Sequence, residues 1–230
     1  MVAAAQPASS PPAPRFAAAA AMTHAFAGVD AFSAKAELRL LDAARKELVA
    51  APISYAFREG KVRIELDLAL AKSAKSNPRD LGEMRMLGLT KTVTLMDPAR
   101  KSLTLVYPDL RGFLAGPLPK DEAAAVADGF QSELLPLGTE KIGALDCDKS
   151  KLVLKRGGTN AIELIIWRSP KQRVPVQIEA KEGPNFSQLR FIDVSPNPPA
   201  ASLFEPATGF TRYTNAAALL KAAESRRPKK

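Results

Sequence analysis

The stretch ISYAFREGKVRIELDL, residues 53–68, decides the fold class of this chain. Apolar side chains alternate along residues 53–57, and again along residues 62–68, where charged residues occupy every second position. Successive side chains of a strand point to opposite faces of a sheet, so both runs predict strands with one buried face. Residues 58–61 between them predict a hairpin turn, because Gly60 can adopt the positive φ that such a turn needs.

The same period of two recurs on both sides of this hairpin. Further strands are predicted around residues 36–40, 93–95, 103–107, 145–154, 162–167, 174–180 and 189–191. Turn signals separate them at residues 97–100, 157–158 and 182–185. Pro175 lacks a backbone donor, which predicts an edge strand or a bulge at that point. The pattern predicts about ten strands in sequential hairpins, and the lack of strand–helix–strand alternation argues against a parallel sheet.

Helices are predicted at residues 15–29, 121–128 and 215–224. Residues 71–89 and 108–119 are interpreted as irregular connections. The Ala- and Pro-rich residues 1–14 are expected to form a flexible leader. We therefore expect a single β domain over residues 15–213, followed by a C-terminal helix and basic tail over residues 214–230.

Composition narrows the classes of function. The chain has 230 residues, 46% of them apolar, and a formal net charge of +9. Basic residues mostly alternate with acidic ones and aromatic residues make up 6%, a pattern that does not predict nucleic-acid binding. The cluster at residues 226–230 predicts a solvated tail, with weak attraction to anionic lipid head groups as the alternative.

The compartment is inferred from the start of the chain. No run of about 18 apolar residues predicts a membrane span. Residues 1–14 lack the apolar centre of a signal peptide, and we interpret them as the front of an exported protein whose signal was removed. A periplasmic or secreted protein is expected, and a cytoplasmic one remains the alternative. One cysteine, Cys147, forms no internal disulfide and gives no information on the compartment.

No constellation of catalytic, metal-ligating or cofactor-binding residues is visible in the sequence. His24 is the single histidine, and Cys147 lies between Asp146 and Asp148, whose charges raise a thiol pKa. We expect Cys147 to be a buried structural residue and the aspartates to lie on a solvated strand face. The expectation is a protein without enzymatic activity, cofactor or metal. A hydrolase would require the two aspartates to point into a deep cleft.

An apolar sheet face must be covered, and the chain offers three apolar helical or irregular segments, around Phe26, around residues 113–130, and around Leu219 and Leu220. A mainly β fold follows: a strongly curved, unclosed antiparallel half-barrel with helices over its concave face. These segments either complete the core or include a movable lid over an apolar pocket. The pocket residues predicted from alternation are Ile53, Tyr55, Phe57, Val62, Ile64, Leu66, Val93, Leu95, Leu103, Leu105, Val176, Ile178 and Phe191.

Several ordered segments carry a resemblance to a known family. They are LMDPARKSLTLVYPDLRGF (residues 95–113), LGTEKIGALDCDKSKLVL (137–154), IWRSPKQRVPVQIEA (166–180) and LFEPATGFTRY (203–213), preceded by a helix before the first strand. In this order they resemble the LolA-like superfamily of periplasmic lipoprotein-localisation factors. The resemblance implies an unclosed antiparallel barrel with a helical lid and an interior that accepts lipid tails.

We therefore predict a periplasmic carrier or binding protein for an acylated ligand, either a lipoprotein or a lipid. The alternative is a protein-binding or envelope-sensing module with a filled core. Ile165 and Trp167, on the strand face opposite Ile162 and Leu164, would then be candidate contacts. A second buried layer is the other interpretation of these two side chains.

Overall fold

The computed structural model of the chain describes residues 23–73, 78–120, 123, 131–156 and 159–226. Thirteen strands lie within these residues. They are β1 Ala31–Leu41, β2 Glu47–Arg58, β3 Lys61–Asp67, β4 Lys72–Ser73, β5 Lys91–Asp97, β6 Ser102–Tyr107, β7 Gly112–Pro117, β8 Gln131–Ile142, β9 Leu145–Arg156, β10 Thr159–Arg168, β11 Gln177–Glu182, β12 Asn185–Ser195 and β13 Thr211–Tyr213. Helix α1 is Pro78–Met86 and helix α2 is Ala216–Ser225. None of the helices described is long and apolar enough to cross a membrane.

All these strands belong to one sheet, which curves into an unclosed half-barrel. Its order is β13-β7-β6-β5-β3-β2-β1-β12-β11-β10-β9-β8, and β4 adds to β2. Strand β1 therefore lies in the middle, between its hairpin partner β2 and the late strand β12. Every pairing is antiparallel except that of β13 with β7. The predicted mainly antiparallel, unclosed β fold is confirmed.

The predicted turns form as their residues require. Glu59 and Gly60 both have positive φ, at 51° and 79°, as expected for a two-residue hairpin whose twist matches the flanking strands. In the turn between β5 and β6, the Asp97 Oδ1 accepts a hydrogen bond of 3.1 Å from the Arg100 backbone N–H. The predicted hairpin at residues 157–158 lies outside the described residues.

Three expectations about the connections were wrong. Residues 71–89 contain helix α1, which begins at Pro78 and is largely exposed, so no apolar stripe marked it in the sequence. Residues 112–117 form β7 despite Gly112 and Pro117. Pro175 is neither in an edge strand nor within a strand, because β11 begins at Gln177 and lies between β10 and β12.

The ends of the chain are described in part. Residues 23–25 are helical and residues 26–28 form a turn, and we call residues 23–28 the N-terminal turn. The earlier part of the predicted helix at residues 15–29, and the predicted helix at residues 121–128 apart from residue 123, lie outside the described residues. The predicted C-terminal helix is α2, capped by the Asn215 side chain, which accepts from the Ala218 backbone N–H at 2.8 Å.

Both faces of the sheet carry apolar clusters. The main core lies on the concave face, where β1–β3, β5 and β9–β12 pack with the N-terminal turn and Leu118. On the convex face of β5 and β6, Val93, Leu95 and Val106 pack with Phe113 and Phe210. Residues 196–210, which we call the strap, lead from β12 back across this face to β13. The Arg58 and Arg63 side chains donate hydrogen bonds to strap carbonyls at Pro199 and Leu203.

Candidate apolar binding site

An aromatic cluster fills the middle of the concave face. The Phe26 ring, from the N-terminal turn, lies with its centroid 5.0 Å from that of Phe32 and 5.1 Å from that of Phe57. Its centroid is 5.9 Å from those of Tyr55 and Phe191. All five rings are at most 4% exposed. Strands β1, β2 and β12 thus form an aromatic bed, and Phe26 from the N-terminal turn covers it.

The Tyr55 hydroxyl is a polar atom in this apolar bed. It is buried and has no hydrogen-bond partner among the described residues. Burial raises the pKa of the Tyr55 hydroxyl, so this group stays protonated and able to donate. An unpaired buried hydroxyl costs free energy, roughly 1–3 kcal/mol. The bed therefore contains one unused donor, on a ring whose centroid lies 5.7 Å from that of Phe32 and 5.3 Å from that of Phe191.

A cavity of about 460 Å³ adjoins the aromatic bed. Three segments enclose it: residues 28–32, residues 171–174 between β10 and β11, and residues 194–198 at the end of β12. Strands β1, β10, β11 and β12 bring these segments together at one end of the sheet. Its apolar wall includes Val29, Phe32, Val174 and Val194. Phe32 belongs to both the cavity lining and the aromatic bed, so the two are adjacent.

The rim of the cavity is set by a tight turn after β10. The Gln172 backbone N–H donates to the Ser169 carbonyl at 3.0 Å, and Ser169 is 3% exposed. One residue earlier, the Arg168 guanidinium donates to the Ala25 carbonyl of the N-terminal turn at 2.7 Å. Burial lowers the pKa of Arg168. The turn therefore holds Lys171, Gln172 and Arg173 at the rim and fastens the N-terminal turn beside them.

The structure brings together nine of the thirteen side chains predicted to line a pocket. Ile53, Tyr55, Phe57, Val62, Ile64, Leu66, Leu103, Ile178 and Phe191 belong to or pack against the main concave core. Leu105 pairs with Leu114 and Thr94 on the same face and is half-buried. That these side chains contact a ligand remains a prediction, since Phe26 occupies the aromatic bed here.

Val93, Leu95 and Val176 lie on the convex face instead. The register of β3 with β5 pairs Val62 with Met96, so Met96 faces the core while Val93 and Leu95 face the strap. Alternation alone gave the wrong face for β5 because both of its faces are buried. Val176 follows Pro175 in an irregular segment before β11 and packs with Cys147 and Trp167.

Trp167 lies in a second buried layer on the convex face. It is 4% exposed and packs with Cys147 and Val176, with Ile165 half-buried at their side. Cys147 is 1% exposed, and burial followed by the charges of Asp146, Asp148 and Glu140 raises the pKa of its thiol. The expected structural role of Cys147 is consistent with this position, and Trp167 is not available as a surface contact.

The residues considered for catalysis do not converge. His24 is half-buried in the N-terminal turn, whereas Asp146 and Asp148 are exposed on β9. Asp146 pairs with Lys141 at 3.6 Å on the surface rather than pointing into a cleft. The described residues contain no group of three histidine, cysteine or acidic side chains placed to hold a metal ion.

Sequence reasoning missed the cavity. Its rim residues Lys171, Gln172 and Arg173 form a polar loop whose position depends on four strands meeting at one end of the sheet. The one local signal was the Trp-x-Ser-Pro segment at residues 167–170, which precedes the rim turn. Phe26 was recognised as part of an apolar segment, but its seat on Phe32 required the tertiary structure.

The fold is similar to several solved structures. One is an uncharacterized conserved protein from Thermus thermophilus, at TM-score 0.48 and 9% identity over 85% of this chain and 97% of that one. A LolA superfamily protein from Nitrosomonas europaea follows at TM-score 0.38 and 10% identity, over 77% and 91%. The lipoprotein LppX from Mycobacterium tuberculosis is similar at TM-score 0.39 and 12% identity, over 78% and 95%.

No family model and no curated protein sequence matches this chain. A solved structure described as a LolA superfamily protein is nevertheless among those similar to it, as the sequence resemblance predicted. At identities near 10% and TM-scores below 0.5, these structures do not indicate what the chain binds.

Proposed function

We propose that this protein is a non-enzymatic periplasmic carrier or binding protein for an acylated ligand, a lipoprotein or a lipid. One observation carries the proposal: an apolar cavity of about 460 Å³ lies beside the buried aromatic bed and shares Phe32 with it as a lining residue. Ligand pockets in proteins typically enclose roughly 300–1,000 Å³ and have mainly apolar walls. The cavity is thus of the size and character that suits an acyl chain.

A movement of the N-terminal turn would enlarge this cavity. Phe26 packs on the bed from the N-terminal turn, and the Arg168 side chain donates a hydrogen bond to the Ala25 carbonyl of that turn. Displacing Phe26 would join the bed to the cavity and expose the Tyr55 hydroxyl to a ligand. An ester or amide carbonyl of an acylated ligand would accept a hydrogen bond from that hydroxyl.

Burial of an acyl chain supplies enough free energy without catalytic or ionic chemistry. About a dozen methylene groups transferred from water contribute roughly 10 kcal/mol before the entropic costs of association. The first test is native mass spectrometry of the purified protein, followed by organic extraction and lipid analysis. Co-purified acyl-containing molecules in near-equal amounts are expected. An unliganded mass that stays unchanged after incubation with lipids and lipopeptides would contradict the proposal.

A matched pair of variants tests the cavity itself. Val194 is half-buried on the cavity wall, whereas Ile192 of the same strand sits at the β-bulge opposite β1 and is 65% exposed. Val194→Phe is expected to fill the cavity and lower the amount of bound acyl ligand by about tenfold, since a lost contact of ~1.4 kcal/mol has that effect. Ile192→Phe adds the same ring outside the cavity and should leave binding unchanged. Equal binding by both variants would place the ligand elsewhere.

A second candidate function is recognition of an extended peptide at the free sheet edge. Strand β8 is the last strand of the sheet, and Leu134, Leu135 and Leu137 on it are 51%, 39% and 50% exposed. Among the described residues no strand pairs with its outer side, and such an edge accepts a further strand. A protein that takes up no lipid, but whose β8 amides become protected from hydrogen exchange by an envelope protein, would favour this function.

A further inference from the structure

We propose that the rim of the cavity recognises an anionic head group on the acylated ligand, through Lys171 and Arg173. This inference rests on the proposed function and adds a ligand class to it. Both residues line the cavity within three residues of each other, and both are exposed, on the turn that Ser169 holds in place. The apolar wall begins at the next residue, Val174, which is 4% exposed and belongs to the main core. A ligand in the cavity would therefore meet cations where its apolar part ends.

The charges at the rim are uncompensated. Within the part of the chain that the structure describes, neither Lys171 nor Arg173 has a carboxylate within salt-bridge distance, although twelve ion pairs form elsewhere among those residues. Asp30 is the one acidic residue on the cavity lining, and it pairs with neither cation. Two cations against one carboxylate leave a net positive rim, which complements an anion.

A third group at the rim, the Gln172 side chain, offers an uncharged hydrogen-bond acceptor. The Gln172 side-chain oxygen is buried and has no hydrogen-bond partner among the described residues. Buried polar atoms are nearly always paired, so this acceptor would gain a partner if the half-buried Gln172 side chain turned toward a donor on a ligand in the cavity. Gln172 lies between the two cations in the sequence, so this donor belongs close to the anionic group.

Together these groups select an amphiphile of defined chemistry. It has an acyl chain for the Phe32 wall, a phosphate or carboxylate for Lys171 and Arg173, and an adjoining hydroxyl or amide N–H for the Gln172 oxygen. A monoacylglycerol phosphate has all three features. The uncharged monoacylglycerol with the same chain has the chain and the hydroxyl but lacks the anion, and therefore serves as the comparison ligand.

The experiment compares these two probes by native mass spectrometry and titration calorimetry, below the concentration at which either forms micelles. Wild-type protein is expected to bind the monoacylglycerol phosphate roughly tenfold tighter than the monoacylglycerol, as one charge-assisted contact provides. Raising the salt concentration should reduce that preference. The double variant Lys171→Ser with Arg173→Ser should bind both probes equally, at the wild-type affinity for the uncharged one.

The control variant changes the same net charge away from the cavity. Lys181→Ser with Lys221→Ser removes two exposed lysines that do not line the cavity, and it should keep the wild-type preference. If wild-type protein binds both probes equally, or if the rim variant keeps the preference, the head-group inference is overturned while the carrier function stands. If neither probe binds to wild-type protein but acyl-containing molecules co-purify with it, the inference is overturned and the carrier function stands; if none co-purifies either, both fail.

Discussion

Glu140 connects three strands through a single oxygen atom. Its Oε2 accepts a hydrogen bond of 3.0 Å from the Trp167 indole N–H of β10 and one of 2.9 Å from the Lys149 ammonium group of β9. The same ammonium group lies 5.1 Å from the centroid of the Trp167 ring. The bond from Lys149, followed by the bond from Trp167, lowers the pKa of Glu140. A charge that acid removes thus adds to the backbone pairing of the edge strand β8 with β9.

The pH dependence follows from the direction of that shift. Because the folded pKa of Glu140 is below its unfolded value, its stabilising contribution is present above the unfolded pKa and is lost as the pH falls through the folded one. Trp167 is the single tryptophan, so its fluorescence reports this site. We expect its emission to change on acidification below about pH 4, under the usual glutamate pKa. Glu140→Gln should abolish that change.

Glu133→Gln is the matched control for this measurement. Glu133 lies on the same strand, has the same side-chain exposure of 47%, and pairs with Lys155 without contacting Trp167. Its variant should keep the wild-type fluorescence transition. A transition that persists in Glu140→Gln would show that another group controls the tryptophan environment.

At the scale of elements, β13 depends on a close approach to β7. The strands run parallel, with Thr211 opposite Gly112 and Tyr213 opposite Leu114. A Cβ atom on Gly112 would lie 2.5 Å from the Tyr213 Cε2 atom, which is too close for any side chain. Gly112 therefore has a packing role: the lack of a side chain lets β13 approach β7.

Replacing Gly112 should loosen the C-terminal elements. Gly112→Ala is expected to destabilise the protein by about 1–3 kcal/mol, because the Tyr213 ring must move and α2 packs behind it. Gly116→Ala on the same strand is the control, since its Cβ would meet no atom within 4 Å. Urea unfolding curves of the two variants provide the comparison. Equal midpoints would mean that the Tyr213 ring can move aside without a loss of stability.

The strands differ in how much of their structure could be predicted from the sequence alone. The hairpin of β2 and β3 was predictable because one face is polar and one apolar, and because Gly60 marks the turn. Strand β5 was predictable as a strand, but the face on which Val93 lies was not. That face is covered by Phe210, from a segment more than a hundred residues later in the chain. Likewise the only local signal for the cavity rim at Lys171 was the preceding Trp-x-Ser-Pro segment, because the cavity forms where distant strand ends meet.

At the scale of the whole molecule, the central position of β1 connects the two halves of the sheet. Strands β2 to β7 extend on one side of it, and β12 to β8 extend on the other. The main core crosses this boundary, since Phe32, Tyr55 and Phe191 contact one another across β1, β2 and β12. Both halves contribute rings to the aromatic bed, so the unfolding of either half would expose the rings of the other. We therefore expect the sheet to unfold as one unit.

Phe210→Ala tests this cooperativity. Phe210 packs on the convex face of β5 and β6, while Trp167 lies on β10 in the other half. Truncating this half-buried ring should destabilise the protein by roughly 1–3 kcal/mol. The unfolding midpoint seen by tryptophan fluorescence should shift as much as the one seen by circular dichroism. Leu203→Ala, at a strap residue that is 43% exposed, should shift neither. A shift confined to circular dichroism would indicate two independent halves.

The placement of β1 also has a consequence for how the chain is made. Strand β1 can pair with β2 as soon as their hairpin is synthesised. Its other edge stays unpaired until β12 is synthesised, and the first residue of β12, Asn185, comes 144 positions after Leu41. Until then a long strand with an apolar face presents unpaired amides, a ready template for wrong partners. Contacts so distant in sequence also form slowly. We therefore expect the nascent chain to need a holding chaperone until nearly all of it has emerged.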